Sequence, residues 1–240
     1  MTKKSEKHNR SLNSPKEMLK TIGSLPVGTG FLAFRDIQSI IDKYITGVRA
    51  LDFGCGAGRS SRILNQHGLK VVGVDTSSEM IDQARNISND IKYILIEKNC
   101  FKNVGDQYDL IFVSFVLMEL SSKQEITELI KNLSNLLSEN GKIILIVASD
   151  DLYTNNWLSI ETKLYNNIDK RSGEIVSVYL KDYGITINDY LWRESDCEEC
   201  FRISNMLILD KLKPTGFSSD GKDWVDEYIK APFVIYIISK

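Results

Sequence analysis

One short segment constrains this chain more than any other: Leu51-Asp52-Phe53-Gly54-Cys55-Gly56-Ala57-Gly58. Three glycines at alternate positions follow the apolar run Val48–Phe53 and precede a helix-period stretch from Arg59 to His67. Glycine reaches positive φ without a Cβ penalty, so the segment can turn sharply from strand to helix and bring bare backbone close to a ligand. Strand, glycine turn and helix together open a βαβ unit, which calls for a parallel sheet. Asp75 closes the next strand, Lys70–Val74, 21 residues past Gly54. A carboxylate there can accept both hydroxyls of a ribose lying across the first two strand ends.

The same alternation runs from about Phe34 to Ala148. Ile37, Ile40, Ile41 and Tyr44 give helical spacing over Arg35–Tyr44, and Thr76-Ser77-Ser78-Glu79 starts a helix with hydroxyl caps and an acidic first turn. Ile91–Ile96, Tyr108–Ser114 and Lys142–Ala148 read as strands, with an amphipathic helix over Ser121–Leu137. The pattern predicts four βα units feeding a fifth strand. Beyond it, Asp150–Gly173 is aromatic and polar and is expected to be helical. Glu174–Leu180 and Ile185–Trp192 form a predicted hairpin around Lys181-Asp182-Tyr183-Gly184. A helix from a Ser or Asp cap over Ser195–Met206, strands Leu207–Lys213 and Phe233–Ser239, and a short helix near Trp224–Ile229 complete the reading.

Spacing separates two ligand classes. The dinucleotide fingerprint requires a third glycine where Arg59 or Ser61 stands. The Asp52-x-Gly54-x-Gly56-x-Gly58 spacing instead resembles the first motif of the class I S-adenosylmethionine-dependent methyltransferases. Asp75 through Met80 resembles the second motif, Tyr108–Ile111 with Ser114–Leu120 the fourth-strand motif, and Gly141–Leu145 the start of the fifth strand. The resemblance covers Phe34 to Ala148 and only loosely the last 90 residues. It implies a Rossmann-like, seven-stranded, mostly parallel sheet with helices on both faces and an antiparallel last strand. Residues 1–33 would be an N-terminal arm, with Gly23, Gly28 and Gly30 in a flap. Residues 34–240 would be the methyltransferase domain, and 150–195 a lid bearing the substrate pocket.

On the same resemblance, S-adenosylmethionine is the cofactor and S-adenosylhomocysteine the product. The implied cofactor residues are Arg35, Asp52, Gly54, Cys55, Gly56, Asp75, Thr76, Met80, Asn99, Cys100, Ser114 and Phe115. Arg35 would sit near the methionine carboxylate or be a surface charge, Asp52 would touch ligand or orient amides, and Met80 would contact adenine or belong to the core. At the third strand's end, where the family usually has Asp, this chain has Glu97-Lys98-Asn99-Cys100-Phe101. Asn99 and Cys100 are assigned to the adenine, with Glu97 and Phe101 as the alternative register.

Methyl transfer is an in-line displacement whose main requirement is positioning in a site that excludes water. A hydroxyl acceptor also needs a base. The chain has two histidines, His8 in the polar N-terminus and His67 at the end of the first motif helix, neither suited to that task. Glu119 and Tyr153 are therefore the predicted catalytic residues, with Asp150 and Asp151 also available. Phe31, Phe34, Tyr153, Trp157, Tyr190 and Trp192 are acceptor-pocket candidates, or a small apolar core beneath the hairpin.

Composition limits the partners. Lys+Arg 30 against Asp+Glu 32 gives a net charge of -2, without the basic excess of a nucleic-acid module. The run from Lys3 to Arg10 reads as a solvated tail. No apolar stretch has the length of a membrane span or a secretory signal, and Cys55, Cys100, Cys197 and Cys200 are too few for a disulfide framework. Cys197 and Cys200 alone cannot complete a tetrahedral zinc site, so no metal is expected. The expectation is a cytoplasmic monomer or homodimer acting on a small-molecule acceptor, without nucleic-acid or membrane partners. The rival readings are an NAD(P)-dependent oxidoreductase and a non-catalytic S-adenosylmethionine-binding module.

Overall fold

A computed structural model describes residues 13, 27–98, 100–101 and 103–240. Its main sheet has seven strands: β1 (Arg49–Phe53), β2 (Lys70–Asp75), β3 (Lys92–Leu95), β4 (Tyr108–Ser114), β5 (Leu137–Ala148), β9 (Leu207–Leu212) and β10 (Phe233–Ser239). Their spatial order is β3-β2-β1-β4-β5-β10-β9. Strands β1 to β5 are parallel, and β10 is antiparallel to both β5 and β9. The expected Rossmann-like sheet with an antiparallel last strand is therefore present. A second sheet is built from β6 (Ile160–Glu161), β7 (Ile175–Leu180) and β8 (Ile185–Tyr190), all antiparallel.

Among the described residues five α-helices accompany the strands: α1 (Ile37–Tyr44), α2 (Arg59–Gln66), α3 (Ser78–Ile87), α4 (Lys123–Leu136) and α5 (Glu194–Ile203). Strand side chains alternate between faces, and helices bury both faces of a parallel sheet. Thus Phe112, Ile144, Ile146, Ile235 and Ile237 join Ile37, Ile40 and Ile41 of α1 on one side. Ile111, Val113, Ile143, Leu145, Val234 and Tyr236 meet Ile126, Leu129, Ile130 and Leu133 of α4, with Phe201 of α5, on the other. Cys197 and Cys200 face this second core. Ser77 and Ser122 cap α3 and α4 by accepting the amides of Met80 and Glu125.

Three expectations are corrected. No helix joins β3 to β4 among the described residues, so the third βα unit lacks its helix. Residues 150–173 are turns and one short strand rather than a helix. Their side chains bond the backbone instead: Asn155 Nδ2 donates to the Asp151 carbonyl, Thr162 Oγ1 to that of Asn155, and Asn167 Nδ2 to those of Tyr153 and Ser177. Helix α5 begins after Arg193, with Asp196 accepting the Arg193 amide, and not from a Ser or Asp cap.

Gly28 and Gly30 lie in a 3-10 turn, Gly28–Ala33, whose Thr29, Leu32 and Ala33 are buried. That turn is pinned rather than flap-like. Thr29 donates to Glu227 at 2.7 Å, and its amide donates to Ser159 at 2.9 Å. The rest of the expected arm, including His8 and Gly23, falls outside the described residues apart from Asn13 and Val27. No helix among the described residues is long and apolar enough to cross a membrane.

Candidate active site

After β1 the chain winds to one side through β2 and β3, then returns to place β4 on the other side. Ligands of open α/β sheets bind where strand order reverses, at the carboxyl ends of the strands. A cavity of about 640 Å³ opens there, walled by the turns after β1, β2 and β4 and by Ile96 and Lys98 beyond β3. Gly54, Cys55, Gly56, Asp75, Thr76, Met80, Ser114, Phe115 and Glu119 all line it. Gly54 and Gly56 have φ of 70° and 52°. A Cβ on Gly54 would lie 2.4 Å from Val116 Cγ2, whereas one on Gly56 would meet nothing within 4 Å. Gly54 is thus required by its neighbour, and Gly56 bares its backbone to the cavity.

Two carboxylates hold this turn in different ways. Asp52 is completely buried and off the cavity wall, which removes it from ligand contact. Its Oδ2 accepts the hydroxyls of Ser60 and Ser61 at 2.7 and 2.5 Å, anchoring the first turn of α2. Burial pushes its pKa up to about 6, against the opposing hydroxyl donors. Asp75 instead faces the cavity. Its Oδ2 accepts the Gly56 amide at 2.8 Å and its Oδ1 the Ser77 amide at 2.9 Å, tying the glycine turn to the start of α3. Each oxygen retains a lone pair for a further donor.

At the end of β4 the backbone is strained. Phe115 has φ of 60°, a conformation costly for an aromatic residue and concentrated at functional sites. Its amide donates to Ile146, and its ring packs edge-on to Phe233 and Phe34 at centroid distances of 5.2 and 6.3 Å. The bend leads into the 3-10 turn Leu117–Glu119 and leaves Glu119 on the wall. Behind Glu119 lies the buried Asp189 of β8, which accepts the Tyr153 hydroxyl at 2.8 Å. Burial, then the charge of Glu119, pushes the Asp189 pKa up to about 7, and burial raises that of Tyr153 well above its usual value.

The remaining predicted residues stand elsewhere. Arg35 is off the wall, because its guanidinium is committed to Asp36 at 2.9 Å, Asp220 at 3.2 Å and the Thr215 carbonyl at 2.8 Å. Tyr153 is buried in the core and does not reach the cavity. Cys100 is exposed and not part of the lining, and Asn99 lies outside the described residues. Of the aromatic candidates Phe34 and Tyr190 line the cavity, Phe31 stacks on Trp224, Trp157 is core, and Trp192 donates to the Leu120 carbonyl.

Known proteins similar to this chain are methyltransferases. Residues 51–143 match the family described as methyltransferase domain. A ubiquinone biosynthesis O-methyltransferase of Coxiella burnetii is 32% identical over 109 residues, 43% of this chain and 45% of that protein. An N-demethylindolmycin N-methyltransferase of Streptomyces griseus is 24% identical over 151 residues, 61% of this chain and 64% of that one. The chain thus matches about half to two thirds of the length of these relatives. An S-adenosylmethionine-dependent methyltransferase of Clostridium acetobutylicum shares the fold at a TM-score of 0.60 and 18% identity, over 89% of this chain and 92% of that one.

The matched segment, residues 51–143, contains the glycine turn, Asp75, Phe115 and Glu119, and the flanking segments close the cavity with Phe34, Tyr190 and Asn13. Two residues with chemical potential escape motif reading. Asp189 falls in phase with Ile185 and Ile187 on β8, so a carboxylate on the inward phase was the available signal. Arg59 shares the cavity wall, and in the sequence it serves only to exclude a dinucleotide.

Proposed function

We propose that this protein transfers a methyl group from S-adenosylmethionine to a small-molecule acceptor. The observation that carries the reading is the cavity at the strand-order reversal, bounded by a Cβ-free backbone at Gly56 and by Asp75 with lone pairs to spare. Those features fit an adenosyl ligand: Asp75 would hold the ribose, and Met80 with Ile96 would line the adenine side. When bound, S-adenosylmethionine supplies an electrophilic methyl on sulfur. Phe34, Phe115 and Tyr190 exclude water from the reacting end, which strengthens electrostatic interactions there. Glu119, on the wall next to the bend at Phe115, is assigned to take a proton from the acceptor, and Asp189 with Tyr153 sits behind it as a buried acid pair.

A small acceptor suits a cavity within the range of about 300–1,000 Å³ usual for such sites, and suits a chain without a basic excess. Titration calorimetry is expected to show micromolar-range binding of S-adenosylmethionine and S-adenosylhomocysteine. Labelled methyl should then pass to members of a panel of phenols, amines and carbon acids. Tight binding of a nicotinamide dinucleotide with no binding of either adenosyl ligand would overturn the proposal. Cofactor binding without turnover on any acceptor would reduce it to a binding module.

A further inference from the structure

Two cations stand on the cavity wall among the described residues, Lys98 and Arg59. Lys98 is neutralised by Glu125 at 2.8 Å. Arg59 opens α2 immediately after Gly58, and among the described residues no carboxylate pairs with it. Its guanidinium lies 5.4 Å from the centre of the Phe34 ring, and the Tyr183 phenol on the β7–β8 turn is the group that favours its charged form. Burial and the nearby Arg62 work against that charge. A guanidinium carries five donors in a planar fork, and a desolvated cation without a counter-charge is costly. Arg35 shows the contrast: the same group elsewhere in this chain is satisfied by two carboxylates and a carbonyl.

We propose that Arg59 is the carboxylate receptor of the cavity, the role that the family resemblance implies for Arg35. The fork accepts a carboxylate side-on through two parallel N–H donors, while Phe34 supports its face. The carboxylate belongs either to the amino-acid end of the adenosyl ligand or to an acidic acceptor. The first source rests on the methyl-donor reading above; the second does not.

Arg59→Met keeps the aliphatic stem and removes the fork. Wild type and variant are titrated with S-adenosylhomocysteine, with its decarboxylated analogue that keeps the amine, and with benzoate on the adenosyl-saturated and the free protein. If the ligand's own carboxylate is the partner, the variant loses about 10–100-fold in affinity for S-adenosylhomocysteine and nothing for the decarboxylated analogue. If an acidic acceptor is the partner, adenosyl affinities stay equal and benzoate binds only the wild type. Arg59→Lys restores part of either loss. Equal affinities of wild type and Arg59→Met for all three probes overturn the proposal, and a lowered melting temperature with those equal affinities assigns Arg59 to packing on Phe34. Failure of the wild type to bind any adenosyl ligand overturns the methyl-donor reading instead, and benzoate binding to the free protein then still decides Arg59.

Discussion

At the residue scale, the two aspartates that matter most are held by opposite surroundings. Asp75 takes two amides and keeps lone pairs toward the cavity, so its loss removes a ribose acceptor and a brace of the glycine turn together. Asp75→Ala is expected to weaken S-adenosylhomocysteine binding roughly 100-fold or more, as two hydrogen bonds to a charged group would require. The 2′-deoxy analogue separates the two roles: the wild type should discriminate against it and the variant should not. Retained discrimination in the variant would remove Asp75 from the ribose. Asp189 has no such outlet. It is buried against Tyr153, and its pKa rises from 3.8 to about 7. The native state therefore keeps a proton that the unfolded chain releases near pH 4. That contribution to stability is complete below the unfolded value and is lost as pH rises through about 7. Asp189→Asn should flatten this dependence, so that the wild type falls behind the variant by on the order of a few kcal/mol between pH 4 and pH 8 in urea unfolding. Parallel stability curves would count against a protonated Asp189.

At the element scale, the glycine turn and the end of β4 are one mechanical unit. The missing Cβ of Gly54 is occupied by Val116, the residue after strained Phe115. Gly54→Ala should cost about 1–3 kcal/mol from overpacking, plus the penalty of a left-handed alanine. Adding Val116→Ala should recover the overpacking part and leave the backbone part, a coupling that a double-mutant cycle in urea reads directly. Additive effects would mean that the two elements do not press on one another. This unit was legible in the sequence because a glycine turn, an acid 21 residues later and apolar strands each impose their own spacing. The segment 150–173 was not legible. Its helical expectation came from aromatic residues at loose intervals, while Asn155, Thr162 and Asn167 offer side-chain bonds that compete with helical ones. Arg59 was visible, yet only the fold reveals that no carboxylate among the described residues pairs with it. The commitment of Arg35 to Asp220 joins residues 185 positions apart, beyond the reach of any local pattern.

At the scale of the whole molecule, the question is whether the small sheet over the strand ends is a separate folding unit. Its packing says otherwise. Trp157, Val176, Val178 and Leu191 belong to the same buried cluster as Phe112, Ile144 and Ile146 of the main sheet. Polar contacts cross the boundary as well. Buried Glu227 accepts the Thr29 hydroxyl at 2.7 Å and the Leu158 amide at 2.8 Å, while the Glu194 carboxylate accepts the Asp150 amide at 3.2 Å and the Asp150 carboxylate accepts the Glu194 amide at 3.0 Å. A lid that shares its core with the sheet cannot expose that core without exposing the sheet's own apolar face, so melting one should melt the other. Scanning calorimetry is expected to give one transition whose calorimetric and van't Hoff enthalpies agree. Trp157→Ala tests the coupling where it is tightest, because the indole is fully buried and donates to the Leu152 carbonyl at 2.7 Å. The substitution should cost about 3–5 kcal/mol and lower that single transition as a whole. A second, earlier transition in the variant, with the main melt left where it was, would instead make the small sheet an independent cap, and the cavity walls at Tyr190 would then open without disturbing the main sheet.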